Sequence, residues 1–339
     1  MKFLATLLLL LLLAVGAAAW LVYTPYGPSA TSDANATFVE VAPGTSTHTI
    51  AIQLQRAGIL RTQYAFALIR AYRSLNGLKG SLKAGEYRFD HPATPIEIYD
   101  RLLRGDVYTV TLTIPEGYNL FDIAHAAEAA GLGPQADFLA AARTHTELLR
   151  PLLPTAANLP TSLEGYLFPD TYHLSRHAKP EQILTTMVRR FRQATAPLGL
   201  TAANLPATVL MASLIEKEVS QPAERPLVAG VFRNRLAQNI PLATDPTVIY
   251  AALLENRWRG TIYASDLQNP SPYNTYRHPG LPPGPICSPG LASLRAALHP
   301  TPTDYLYFVS DANGHSRFAA TLKEHNENVA AYRKAHAAR

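Results

Sequence analysis

The sequence of 339 residues has little charge and a single cysteine. That residue, Cys287, excludes a disulfide within the chain and a zinc site built on cysteines. Charged residues make up 16% of the chain, and its 30 Lys and Arg include no run of five. A net charge of +5 without a basic stripe argues against a nucleic-acid partner, although it would suit an anionic polymer of the cell envelope. His173 and His177 are spaced as a ligand pair without a third ligand, so we expect neither a metal site nor a cofactor.

One long apolar run opens the chain. Residues 3–22 carry no charge, and roughly 20 such residues are needed for a helix to cross a bilayer. Lys2 precedes the run, which predicts a cytoplasmic N-terminus and an exported remainder. A cleaved signal peptide is the alternative, because three alanines at 17–19 resemble a cleavage site. The run continues through Trp20 to Tyr23, an interfacial pair that favours an uncleaved anchor. Residues 24–36 have the composition of a short linker.

A strand–turn–helix unit occurs twice in the first half of the chain. Gly44 and Gly58 lie 14 residues apart, and so do Gly117 and Gly131. In each copy the first glycine makes the turn between strand and helix, and the second ends the helix. The two copies therefore predict the same local structure.

Between the copies the pattern predicts a small α+β domain. Its remaining elements are a helix over 63–75, a strand over 85–89 and a helix opened by a Thr94–Glu97 capping box and ended by Gly105. Their order and size match a glycan-binding module. A purely structural domain has the same pattern, and no aromatic cluster marks a sugar site here.

An acidic residue stands on an apolar helix face in the second half of the chain. Pro206 and the Ser-Gln-Pro stop at 220–222 predict a helix over 205–219. The face around Glu216 collects small and apolar residues, while Lys217 and Glu218 point elsewhere. We therefore expect Glu216 to be buried without a charged partner, and burial favours the protonated form that a general acid requires. A glutamate at the boundary, with its carboxylate in water, is the alternative.

Further candidate residues lie in segments rich in Gly and Pro. Glu164 and Tyr166 belong to a stretch that mixes acids with aromatics, which suits carbohydrate but also suits an ordinary buried turn. Asp245 either caps the helix that follows it or reaches into a site. The long loop 269–290 is restricted by proline, and such loops are usually functional or disordered. Its candidate side chains are Tyr273, Asn274 and Tyr276.

The remaining elements are predicted to serve packing. An amphipathic helix covers 180–194, and another covers 223–238 with a polar face, 233–235, that we expect to be solvated. A β-hairpin turning at Asn313-Gly314 and a helix over 322–336 close the chain.

Five motifs together resemble the YceG-like family, the membrane-anchored endolytic murein transglycosylases. They occur in the family's order: LEGYLFPDTY (163–172), SLIEKE (213–218), TDPTVIY (244–250), YNTY (273–276) and GLPPGPI (280–286). The resemblance implies that the first domain is similar to a LysM module and that Glu216 is the catalytic acid/base. It also implies cleavage of the bond between N-acetylmuramic acid and N-acetylglucosamine in nascent peptidoglycan, leaving 1,6-anhydro ends and limiting strand elongation.

The expected architecture is an α+β protein. Residues 1–23 would form a single-pass anchor in the inner membrane, 24–36 a linker, 37–109 a LysM-like domain and 110–339 a periplasmic catalytic domain. Glycan strands and peptidoglycan synthases, the penicillin-binding proteins, are the expected partners. Two alternatives stay open at this point: a hydrolase that pairs Glu216 with Glu164 or Asp245, and a non-catalytic glycan-binding scaffold.

Overall fold

The computed structural model describes residues 2–29, 36–78, 80–154, 157–219, 221–311 and 314–337. The chain forms two compact units, residues 1–109 and 110–339. Both units mix helices with strands, and the described strands pair into three two-stranded antiparallel sheets. The structure is therefore of the α+β class, as predicted.

The apolar run at the N-terminus forms helix α1 (Lys2–Tyr23). Its most apolar window has a mean hydropathy of 2.5, and none of that window is buried in protein. Trp20 and Tyr23, at its C-terminal end, are both exposed. Its length and composition fit a single-pass membrane anchor.

The rest of the first unit packs helices against a strand pair. Strands β1 and β2 are antiparallel, with Val39 opposite Tyr87. The core between strands and helices is built from side chains such as Ile50, Leu54 and Phe66. The elements are β1 (Thr37–Val41), α2 (Thr47–Arg56), α3 (Tyr64–Leu75), β2 (Gly85–Phe89) and α4 (Pro95–Arg104).

The predicted local signals of this unit are confirmed. Thr94 and Glu97 form the capping box that opens α4, and Gly105 ends α4 in the left-handed conformation. The repeated glycines also match in conformation: Gly44 and Gly117 both have φ 81°, while Gly58 and Gly131 have φ 73° and 76°. Glycine adopts positive φ without the steric cost that a Cβ imposes, so the repeat is one of backbone geometry.

The second unit contains two strand pairs, β3–β4 and β5–β6, and most of its helices. Strands β3 and β4 are antiparallel, and helices α5, α6 and α7 contribute to a shared core with them. The elements are β3 (Val110–Thr113), α5 (Leu120–Ala129), α6 (Gln135–Thr144), β4 (Thr171–Leu174), α7 (Pro180–Thr195), α8 (Leu205–Glu218), α9 (Arg225–Ala237), α10 (Asp245–Leu254), α11 (Ala264–Leu267), α12 (Leu291–Leu298), β5 (Tyr307–Ser310), β6 (Ser316–Ala319) and α13 (Leu322–Ala337).

Helix α8 lies at the centre of the second unit and contacts α9, α10 and α12. The proline-rich loop is attached to it through Ser213, whose hydroxyl accepts a hydrogen bond from the Ile286 N–H at 3.1 Å. Gly165 permits the loop to pack closely, because a Cβ there would lie 2.6 Å from Pro285. The residues of the family motifs thus surround a single helix.

One packing prediction is wrong in part. Of the 233–235 face of α9, Arg233 is exposed as expected, but Asn234 donates hydrogen bonds to the carbonyls of Thr303 and Tyr305. Arg235 donates to the carbonyls of Pro241 and Leu306. These side chains attach the segment before the β5–β6 hairpin to α9. The predicted hairpin is present, while Asn313 of its turn lies outside the described residues.

Candidate active site

Glu216 is buried on α8, but it is not without a charged partner. Its side chain is only 4% exposed, as predicted from the apolar helix face. Arg225 Nη2 donates to its Oε1 at 2.7 Å, and the Gly290 N–H donates to its Oε2 at 2.9 Å. The Arg225 side chain is 7% exposed, so both members of this ion pair are buried.

A second acid, Glu116, approaches the same arginine. Its Oε2 lies 3.7 Å from Arg225 Nη1, and half of its side chain is exposed. Partial burial, followed by the nearby charge of Glu216, raises the pKa of Glu116, while Arg225 opposes the rise. Gly290 leaves room for this carboxylate, since a Cβ at 290 would overlap it. Glu116, Arg225 and Glu216 therefore form one cluster of charges.

The expectation of an unpaired Glu216 is wrong, and the reason lies outside α8. Arg225 comes from the start of α9, and Gly290 is the residue that precedes α12. In a buried ion pair each partner compensates part of the desolvation of the other, so the removal of one partner is costly. Burial without a charged partner, the feature that favoured Glu216 as a general acid, is therefore not found in the folded chain.

Glu218, two residues further along α8, has the properties expected of Glu216. Its Oε1 is buried and has no hydrogen-bond partner within the described part of the chain. Burial, and then the charge of Asp245, raises the pKa of Glu218 from 4.5 to about 7, while Arg235 opposes the rise. A carboxyl group with this pKa exchanges its proton near neutral pH, which is what a general acid/base must do.

Two of the predicted site residues lie together beside Glu218. The Tyr276 hydroxyl donates to Asp245 Oδ1 at 2.7 Å, which joins the proline-rich loop to the start of α10. Asp245 is the first residue of α10 and reaches towards the loop, while Thr244 occupies the capping position without a side-chain cap bond. Tyr276 is 40% exposed, so part of its ring remains open to a ligand. Its pKa is raised by burial and by the bond to Asp245.

Glu164 and Tyr273 belong to a second, more deeply buried group. Glu164 Oε2 accepts hydrogen bonds from the Leu120 N–H at 2.9 Å and from the Tyr250 hydroxyl at 2.8 Å. Its Oε1 has no partner among the residues described, and burial raises the pKa of Glu164 to about 7. The Tyr273 ring lies against Tyr250, with centroids 5.1 Å apart. This arrangement ties the 163–172 stretch to α5, α10 and the loop.

Two candidates for substrate binding are buried away from solvent. Tyr166 is 1% exposed and packs against Phe191, so neither face of its ring is free for a sugar. Asn274 is fully buried, and its amide donates to the carbonyls of Leu267 and Asn269. Its own Oδ1 accepts from the Tyr276 N–H at 3.1 Å. Tyr166 supports the core, and Asn274 holds the loop in shape.

Several residues of the site were missed or misjudged from the sequence. Glu116 and Arg225 were not selected, because they come from separate segments with no shared spacing. Glu218 was set aside because it lies roughly 160° around the helix from Glu216, on a face that the helix alone does not show to be buried. The sequence signal that could have identified Glu218 was the spacing of the two glutamates, because residues two positions apart place a carboxylate on each side of α8.

The described residues include no group of three or more His, Cys, Asp or Glu that could hold a metal ion. The ionisable groups on the two sides of α8 include carboxylates, arginines, Tyr276 and Lys217. This set of side chains can transfer protons and can orient hydroxyl groups.

Comparison with known proteins defines the family. Residues 39–331 match the YceG-like family, so the chain belongs to it, as the motifs predicted. A Bacillus subtilis protein named endolytic murein transglycosylase is 33% identical over 304 residues, which span 85% of this chain and 82% of that protein. A Streptococcus pneumoniae protein of the same name is 31% identical over 320 residues, spanning 86% of this chain and 57% of the relative.

A solved structure shows the same relationship. The crystal structure of a YceG-like protein from Listeria monocytogenes is 32% identical in sequence and aligns with a TM-score of 0.56. The alignment covers 86% of this chain and 98% of the listerial chain.

Proposed function

We propose that this chain is an endolytic murein transglycosylase, a lytic enzyme of the peptidoglycan. It would cleave the bond between N-acetylmuramic acid and N-acetylglucosamine within nascent strands, leave 1,6-anhydro ends and so limit strand elongation. The names of relatives that align with most of the chain support this general function. The buried carboxyl group of Glu218 supports the chemistry.

The observation that carries the proposal is the contrast between the two glutamates of α8. Glu216 is held by a guanidinium and a backbone N–H, whereas Glu218 Oε1 is buried without a hydrogen-bond partner in the described structure and the pKa of Glu218 is raised to about 7. A general acid must hold a proton at working pH and release it without breaking an ion pair. We therefore assign proton transfer to Glu218 and the support of α8 to Glu216, in place of the catalytic function first predicted for Glu216.

The proposed reaction needs one acid/base and no water. Glu218 donates its proton to the bridging oxygen as the bond from that oxygen to C1 of N-acetylmuramic acid breaks. The C6 hydroxyl of the same sugar then attacks C1, and its proton passes to the Glu218 carboxylate. The cycle returns Glu218 to its protonated state and closes the 1,6-anhydro ring, so atoms and charges balance.

The neighbouring residues would position the sugar. Tyr276 presents a half-open ring beside Asp245, and the Asp245 carboxylate is close enough to influence the pKa of Glu218. In this arrangement Asp245 would stabilise the positive charge that develops at C1, and Tyr276 would contact the sugar ring. Glu164 and Tyr273 would hold the loop that carries Tyr276 through their contacts with Tyr250.

One observation favours a second candidate, a hydrolase. Hydrolysis by two carboxylates requires a partner acid near the first, and Asp245 stands in that relation to Glu218. The products separate the two reactions, because a hydrolase leaves reducing ends and a transglycosylase leaves anhydro ends. Purified glycan strands digested with the full chain in detergent should give anhydro ends by mass spectrometry. Reducing ends alone would establish the hydrolase, and binding without cleavage would establish a scaffold.

The proposal includes a location and a domain function. Helix α1 would anchor the protein in the inner membrane, with the N-terminus in the cytoplasm and the two units in the periplasm beside the peptidoglycan synthases. Deletion of residues 1–23 should release the protein from membranes in folded form. Recovery from native membranes of a mature chain that begins near Trp20 would contradict the anchor.

We also propose that residues 37–109 are a LysM-like, glycan-binding domain. The order β1–α2–α3–β2 and the antiparallel β1–β2 pair support this assignment. Co-sedimentation of the full chain with purified peptidoglycan should weaken when this domain is altered at its surface, and unchanged binding would count against the assignment.

A further inference from the structure

Helix α3 is apolar on two faces, of which one is exposed. Ala65, Phe66 and Ile69 face the core of the first unit. Tyr64, Leu68, Tyr72 and Leu75, here called the α3 stripe, recur at helical spacing on another side and are 65, 38, 62 and 88% exposed. A continuous apolar strip of this kind on a soluble surface usually marks a site of interaction with a protein or a membrane.

The same unit is attached to the end of the apolar helix α1. The Arg61 guanidinium lies between the rings of Trp20 and Tyr26, 5.2 and 4.8 Å from their centroids. Tyr26 exchanges backbone hydrogen bonds with Ala93 at 3.0 and 3.1 Å. Val22 packs against the core of the unit, and α1 contacts α3 and α4.

These contacts leave little distance between a membrane and the first unit. From Tyr23, where α1 ends, to Tyr26 the chain can span at most about 10 Å. The headgroup layer on each side of a bilayer is itself roughly 5–8 Å thick. Since Val22 and Trp20, within α1 itself, already contact the first unit, that unit lies against the headgroups if α1 spans the bilayer.

The charge of this region is complementary to anionic lipid. Residues 41–85, which include α2 and α3, contain no Asp or Glu, whereas they contain six Lys or Arg. Arg61 is exposed and precedes α3, where its guanidinium contacts Trp20 and Tyr26 near the end of α1. A basic residue near the headgroups is attracted to anionic lipid.

We propose that the α3 stripe rests on the outer surface of the bilayer that α1 spans, with its aromatic and aliphatic side chains at the level of the headgroups. The lipid contact would fix the orientation of the first unit above the membrane. This inference rests on the membrane anchor of the proposed function, and it does not depend on which glutamate is catalytic.

The test uses the full chain in phosphatidylcholine vesicles, with and without phosphatidylglycerol. A polarity-sensitive fluorophore is attached to L75C or, as a matched control, to E40C. Glu40 is exposed on β1 between the buried Val39 and Val41, so it faces away from the helices. The native Cys287 is fully buried, and unaltered protein gives the background of labelling.

The label at position 75 should shift to shorter wavelength and lose fluorescence to lipids brominated close to their headgroups, more strongly when phosphatidylglycerol is present. The label at position 40 should do neither. Adding Tyr72→Glu, a change at an exposed position, should reduce the quenching at position 75. The vesicles contain no glycan, so quenching by bromine reports lipid contact alone.

Three results would overturn the inference. Equal quenching at positions 75 and 40 would show that the α3 stripe does not meet lipid. A change at position 75 that appears only as the protein-to-lipid ratio rises would show that a second copy covers the stripe. Release of the chain from vesicles by alkaline carbonate would show that the membrane anchor itself fails. If the chain stays in the vesicles while the label at position 75 is unquenched, only the contact between α3 and lipid is refuted.

Discussion

Replacement of Glu216 by glutamine should destabilise the protein, because it removes one partner of a buried ion pair. The Glu216 and Arg225 side chains are only 4 and 7% exposed, so the guanidinium would lose its closer countercharge in a site that water hardly reaches and would keep only the half-exposed Glu116 at 3.7 Å. Removal of one partner from such a pair costs about 3–5 kcal/mol. The amide oxygen of glutamine can still accept one hydrogen bond, so we expect a cost of about 3 kcal/mol, at the lower end of that range.

That cost should be visible as a lower melting temperature. For a unit of this size each kcal/mol shifts Tm by about 2–4 °C, so Glu216→Gln should lower Tm by about 6–12 °C. The assay is thermal unfolding of the full chain in detergent. Glu218→Gln is the matched control on the same helix, and it should leave Tm unchanged or raise it, because Glu218 Oε1 is buried without a hydrogen-bond partner among the described residues and the amide carries no charge to desolvate.

A double variant separates the charge from the shape of the side chain. If the lower Tm of Glu216→Gln comes from the Arg225 guanidinium that has lost Glu216, combining Glu216→Gln with Arg225→Gln should recover part of the lost stability. A Glu216→Gln variant with the melting temperature of the parent would refute the argument, since it would show that Arg225 does not depend on Glu216.

Further predictions concern Glu218 and the residues of the proline-rich loop. The rate of cleavage should fall as pH rises through about 7, since the acid must be protonated. The free energy of unfolding should fall as pH rises from 4.5 towards 7, because over that range the folded protein keeps protons that the unfolded chain has lost. Urea titrations should show a steeper slope in the parent than in Glu218→Gln, where Glu164, whose pKa is also raised to about 7, still contributes. Tyr276→Phe should reduce cleavage with little change in Tm because it removes only the bond to Asp245, whereas Asn274→Ala should lower Tm because it removes the hydrogen bonds within the loop. Equal losses of Tm in the two variants would show that Tyr276 is structural as well.

The parts of the fold that were predicted correctly depend on signals local in sequence. The Thr94–Glu97 capping box, the paired glycines and the proline at the start of α8 each act within a few residues. Local backbone geometry follows from such signals whatever the tertiary structure. The bounds of most helices were therefore predicted to within a few residues.

The candidate site could not be predicted in the same way, because its electrostatics depend on distant segments. Arg225 and Gly290 reach Glu216 from α9 and from the start of α12, so the face of α8 showed the burial of Glu216 but not its partners. The environment of Glu218 depends on Asp245, 27 residues further along the chain. Amphipathic periodicity identifies which side of a helix is buried, and it does not identify the residues that cover that side.

The sequence did not show which aromatic residues are exposed at the site and which are buried. Tyr166 lies in a stretch that mixes acids with aromatics, a composition that suits a sugar site and a buried turn equally, and Tyr276 lies in a loop rich in Pro and Gly. Only tertiary packing distinguishes the two tyrosines. Tyr166 is buried beside Phe191, whereas 40% of the Tyr276 surface is exposed to solvent.

The central claim is that Glu218, and not Glu216, transfers the proton, and the most direct test counts the anhydro ends released by each glutamine variant. The digestions are done below the melting temperature of Glu216→Gln, so that both variants are folded. Glu218→Gln should lose about 10²- to 10⁴-fold in rate, the usual contribution of general acid–base catalysis, while Glu216→Gln keeps measurable cleavage. Release of anhydro ends by Glu218→Gln at the rate of the parent, or a folded Glu216→Gln without activity, would contradict the account.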